Sequence, residues 1–143
     1  MCLVVESKIR PIPKIALRPI VCYKVLGLDK DGNYFTPYQD AKVTLNRILR
    51  AKKNLLGICC GRYRKIWYVN GGWLHLFKYK IDANIECKCI ERDNSIMFGF
   101  GTKALARYVV VKAEIPIFTR YLGGYYGITN SICAKRVKYS LIK

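Results

Sequence analysis

RYVVVKAEIP, residues 107–116, is the stretch on which the fold turns. Three successive valines behind a tyrosine make it the clearest strand in the chain, and Pro116 ends it because proline has no N–H to give a sheet ladder. IVCYKVL (20–26) is likewise rich in β-branched and aromatic residues, and Asp31-Gly32-Asn33 follows it as a turn cluster, so residues 20–36 read as a β-hairpin. RKIWYVN (64–70) and WLHLFKY (73–79) flank Gly71-Gly72 and predict a second hairpin with a two-glycine turn. AKRVKYSLI (134–142) is read as the last strand. Residues 38–53 fit strand or helix. In DANIECKCIERD (82–93), Ile81, Ile85 and Cys89 recur at helical spacing behind Asp82 as N-cap, which favours a short helix over a strand.

Together these elements predict an α+β fold: a single domain over residues 20–143, a mainly antiparallel β-sheet carrying one or two short helices. Pro11, Pro13 and Pro19 mark residues 1–19 as an extended N-terminal arm. A chain of 143 residues with 52% apolar residues is large enough to close one core. The 24% charged and 13% aromatic fractions exclude a disordered composition.

Charge is the unusual property. Lysine and arginine number 26 against 9 acids, a formal charge of +17, so the surface carries a strong positive potential and anions are the expected partners. No apolar run is long enough to cross a bilayer, and MCLVVESKIR (1–10) lacks the apolar core of a secretion signal, which predicts a soluble, cytoplasmic protein with no membrane partner. The seven cysteines lie in apolar stretches and suit reduced thiols. Adjacent Cys59-Cys60 and the Cys87-x-Cys89 pair do not have zinc-ligand spacing, so neither metal nor cofactor is expected.

The succession VCYKVL, YFTPYQ, a glycine-rich turn before Trp-Leu-His-Leu-Phe, then VVVKAEIPIFTRYLGG and a basic closing strand resembles a group of small proteins of gut bacteria and their phages. These carry a Tyr-Lys-Val strand, a Ser-Pro-Tyr-like turn, a Gly-x-His-x-Phe-like strand and an Ile-Pro-x-Gly-x-x-Tyr-like turn. The likeness runs from Val21 onward and implies an intracellular bacterial or phage accessory protein, without implying a particular activity. The chain departs from the pattern at Gly71 to Leu74, which lengthen the approach to His75, and at Phe118-Thr119, which replace the glycine of the Ile-Pro turn.

Four stretches carry candidate chemistry. On a strand, His75, the only histidine, shares a face with Trp73, Phe77 and Tyr79; it is either a packed residue or the polar group of a pocket with aromatic walls. A catalytic role would need an orienting acid, and Glu86, Glu91 and Glu114 are the few that could serve. KVTLNRILRAKKNLLGICCGRYRKIWY (42–68) holds Lys42, Arg47, Arg50, Lys52, Lys53, Arg62, Arg64 and Lys65 without one acid, followed by Trp67 and Tyr68. That pattern suits a phosphate backbone with stacked bases, or else a solvated face kept for solubility. TRYLGGYYGI (119–128) sets Arg120, Tyr121, Tyr125 and Tyr126 around Gly123-Gly124, either an oxyanion-holding turn or a plain one, and GFGTK (99–103) is a weaker phosphate signal. Neither is a Walker or dinucleotide fingerprint.

The expected function is therefore non-enzymatic binding of a polyanion, nucleic acid or a nucleotide that a phage protein would sequester against host defence. Arg47, Arg50, Lys52, Lys53, Arg62, Arg64, Lys65 and Arg120 would hold phosphate, and Trp67, Tyr68, Trp73, His75 and Tyr125 would stack or line a pocket. The alternatives are a small nucleotide-using enzyme resembling ADP-ribosyl transferases, with Glu114 as the catalytic acid, and an inhibitor that docks on an acidic host protein. An odd number of cysteines and an uncovered sheet edge leave room for a homo-oligomer.

Overall fold

The computed structural model of the protein describes residues 3–37, 41–51, 58–60, 65–69, 72–96 and 107–143. The first strands are β1 (Leu3–Glu6), β2 (Lys14–Ile15), β3 (Ile20–Leu28), β4 (Tyr34–Phe35), β5 (Lys42–Val43) and β6 (Ile48–Arg50). β7 (Ile58–Cys60), β8 (Ile66–Val69) and β9 (Leu74–Phe77) precede the helix α1 (Lys80–Ile96). β10 (Arg107–Ile115), β11 (Arg120–Tyr126), β12 (Thr129–Ala134) and β13 (Arg136–Ser140) complete the order. The result is an α+β fold, an antiparallel sheet with one helix among the described residues.

Strand order runs β6-β13-β10-β3-β9-β12-β11-β1-β8-β7, with β2 beside β11 and β4 and β5 branching from β3. The β3–β10 ladder is the longest, from Arg107 opposite Leu28 to Ile115 opposite Ile20. The β3–β4 hairpin forms as the sequence predicts. Asp29 stabilises its turn, its carboxylate accepting from the backbone N–H groups of Asp31 and Asn33, while Gly32 takes the left-handed φ of 82° that the turn requires.

One face of the sheet is a concave core. Cys22 and Leu26 of β3 alternate onto it with Val111, Ala113 and Ile115 of β10, Val137 and Tyr139 of β13, Leu76 of β9, and Ile132 and Ala134 of β12. In a flat sheet β12 and β13, four steps apart, would lie about 19 Å from each other. They share one core and are joined through a single residue, Lys135, so the sheet curls until the chain turns a corner from one part to the other. On the convex face α1 covers Tyr23, Val25, Phe77, Tyr108 and Val110 with Ala83, Cys87 and Ile90.

The helix and the pairing of β8 and β9 depart from the sequence reading. Ile81 and Ile85, expected on the buried stripe, are exposed: the buried row is Ala83, Cys87, Ile90, and positions two residues away lie about 200° around the helix. Asp82 stands in the first turn rather than at the cap, where its charge opposes the positive end of the helix dipole. The predicted β8–β9 hairpin does not form. β8 pairs with β1 and β7, and β9 with β12 and β3, because Leu3, Val69 and Leu122 bury together only when β1 lies between β8 and β11. The stretch read as an extended arm contributes β1 and β2 to the sheet, and Ala16 is buried in the core.

Within the concave face stands Lys24. β3 and β9 share one bridged pair, Tyr23 opposite Phe77, and beyond it the strands part. The Lys24 ammonium donates to the His75 carbonyl at 2.8 Å across the parting. Although the residue keeps a little exposed surface, its ammonium is enclosed, and burial pushes its pKa down to about 8 against a weaker opposing pull from Glu86.

Candidate nucleic-acid interface

The corner between β12 and β13 gathers positive charge. Lys135 donates its backbone N–H to the Arg120 carbonyl at 3.0 Å, and its own carbonyl accepts from Ala51 N–H at 2.9 Å. The corner is thereby tied to the start of β11 on one side and to the end of β6 on the other. Arg136 and Arg50 are directly opposed across the β13–β6 ladder. Since Val137 and Leu49 pack into the core, both arginines point to the outer face, where like charges in facing positions repel. Among the described residues no carboxylate forms an ion pair with Arg50, Arg120, Lys135 or Arg136.

Each cation is held differently. One guanidinium nitrogen of Arg136 donates to the Ile117 carbonyl at 3.1 Å, leaving other donors of its fork free of that bond. Lys135 folds back, its Nζ 4.2 Å from the centroid of the Trp73 ring and 2.7 Å from the Gly72 carbonyl. Partial burial lowers its pKa; Cys133 opposes that shift and the Arg120 charge adds to it. Arg50 and Arg120 are exposed. Beyond this group Lys138 and Glu114 meet at 3.7 Å, so the acid that an enzymatic reading would use is engaged by a neighbouring lysine on the outer face.

Of the predicted phosphate-binding residues, Arg50 and Arg120 meet at this corner. Arg47 is exposed in the bend before β6, after Asn46 at a left-handed φ of 61° that asparagine tolerates. Lys65 is exposed beside β8, toward the far end of the strand order from β6, and its carbonyl accepts from Ser7 N–H. The acid-free stretch is therefore divided between two parts of the sheet. Lys52, Lys53, Arg62 and Arg64 lie outside the described residues, as does GFGTK.

The predicted aromatic set also divides. Trp73 is buried with Leu3, Val69, Leu122 and Cys133, beneath Lys135. Trp67 is half-buried, its indole N–H donating to the Ser7 carbonyl at 3.0 Å. Tyr68 and Tyr125 flank Val4 in one cross-strand row, 38% and 49% exposed. His75 is half-buried on β9 opposite Cys133, on the same face as Phe77. Gly123-Gly124 is no turn: both glycines are mid-strand in β11, paired with Ile132 and Ser131, and the chain reverses at Gly127 instead. Gly124 is required there, since a Cβ would drive into the Val4 carbonyl and against Leu3, whereas Gly123 faces open space.

Lys135 and Arg136 were missed in the sequence because they belong to a strand otherwise read as structural; the run Lys135-Arg136-Val-Lys138 was the available signal. No helix of the described residues is long and apolar enough to cross a membrane. Family models, curated proteins and solved structures return no match to this chain.

Proposed function

We propose that this protein is a cytoplasmic, non-enzymatic binder of nucleic acid, using the β12–β13 corner to hold phosphates. The observation that carries the reading is the convergence of Arg50, Arg120, Lys135 and Arg136 from β6, β11, the corner and β13, none of them ion-paired with a carboxylate among the described residues. Opposed arginines repel one another, and a phosphate between them removes that repulsion while receiving forked donors. The cations lie on the outer face of a sheet, which suits a polymer passing over it, and the overall charge of +17 draws such a polymer in.

Fluorescence anisotropy with a labelled single-stranded oligonucleotide tests this across salt concentrations. Four phosphates neutralised on a single strand give a log–log salt slope of about −3. Replacing Arg50 and Arg136 together by alanine is expected to flatten the slope by about 1.4 and to weaken binding at low salt. Unchanged affinity and slope in a folded double variant would remove the corner from the binding surface.

A further inference from the structure

The structure assigns Phe118 a role as a stacking residue for an unpaired base of single-stranded nucleic acid, an inference that rests on the corner holding that strand's phosphates. Phe118 is 69% exposed and has a left-handed φ of 62°. Both features are unfavourable: the left-handed conformation crowds the Cβ of a non-glycine residue, and the ring gives up the benefit of burial. Glycine would relieve both.

The surroundings hold the strain in place. Phe118 N–H donates to the Ala16 carbonyl at 2.7 Å, and Ala16 N–H donates to the Thr119 carbonyl at 2.9 Å. Ala16 and Thr119 are buried on either side, so the ring between them is presented outward. Backbone strain maintained around an exposed side chain points to use of that side chain.

Its position indicates the use. Arg136 donates to the carbonyl of the peptide bond that leads into Phe118, and Arg120 lies two residues beyond. A phosphate on Arg136 therefore sits beside an exposed aromatic ring. Stacking requires a base with a free face, which a single strand offers and a closed duplex does not. Every base has such a face, so the contact adds affinity without strong sequence preference.

The test measures anisotropy with an oligothymidine and with a strand of the same length made of abasic residues, against the parent protein, Phe118→Ala, Phe118→Trp and the Arg50→Ala/Arg136→Ala variant. Phe118→Ala is expected to lose about 10-fold on oligothymidine and less than about twofold on the abasic strand. Phe118→Trp is expected to retain binding and to show indole quenching, beyond that of the parent, with oligothymidine alone. Equal losses on both strands, or no loss on oligothymidine while the arginine variant loses both, overturn stacking and leave the corner intact. If the arginine variant binds both strands like the parent, the phosphate-binding reading fails and the stacking inference with it.

Discussion

Lys24→Met replaces a charged group of the concave core by an apolar one of similar length. The folded ammonium titrates at about 8 against an ordinary 10.5, and burial is the main cause. A lysine whose folded pKa is depressed destabilises the protein while charged. Below pH 8 folded and unfolded chains both hold the proton, and the cost, about 3 kcal/mol, is present in full. Between pH 8 and 10.5 the unfolded chain binds more protons, so stability contributed by this site rises with pH. About 1 kcal/mol of the cost is relieved between pH 7 and 9. Methionine removes the charge but leaves the His75 carbonyl without its donor, at about 1–2 kcal/mol. The variant should therefore be more stable than the parent by about 1–2 kcal/mol at pH 7, a urea midpoint raised by roughly 0.5 M. That advantage should shrink by about 1 kcal/mol at pH 9. Cys22 and Cys133, whose pKa values burial raises to about 12, lose stability above pH 9, but they act on both proteins and cancel in the difference. Urea unfolding of the two proteins at pH 7, 8 and 9 decides the matter. Parallel curves across that range would refute a lysine titrating near 8 in the core.

Gly124→Ala should destabilise by about 1–3 kcal/mol through collision with β1, while Gly123→Ala, facing open space, should stay within about 1 kcal/mol of the parent; thermal unfolding separates them. Phe118→Gly should raise stability by about 1 kcal/mol, since it removes a left-handed non-glycine residue whose side chain buries little, and differential scanning calorimetry reads the shift. Cys22 and Cys133 should resist alkylation at pH 7.5 in the folded protein, because burial disfavours their thiolates, while half-buried Cys89 should label sooner; mass-spectrometric mapping at timed quenches orders them.

Legibility in the sequence followed the range of the interactions involved. The β3–β4 hairpin was readable because its turn residues and its β-branched strand are neighbours in the chain. The helix was readable as an element but not in its orientation, since two apolar rows were available and only packing against Tyr23, Val25 and Phe77 chose Ala83, Cys87 and Ile90. The Gly71-Gly72 pair suggested a local hairpin that a distant strand overrode: β1 supplies Leu3 to the cluster of Val69 and Leu122, a burial worth more than the adjacent pairing. The candidate site was legible as charge. Arg50 and Arg120 were named from basic and glycine-rich stretches, but neither stretch contains Lys135 or Arg136.

By itself the sequence determined a β-rich chain with one or two helical segments, a charge of +17 and cysteines set among apolar residues, because composition, alternation and turn chemistry act between near neighbours. Tertiary structure alone decided that β12 turns into β13 at Lys135, bringing Arg50, Arg120 and Arg136 to one corner. The residues brought together there are up to 86 positions apart, from Arg50 to Arg136, and their meeting is set by how the concave core closes, which no local pattern encodes.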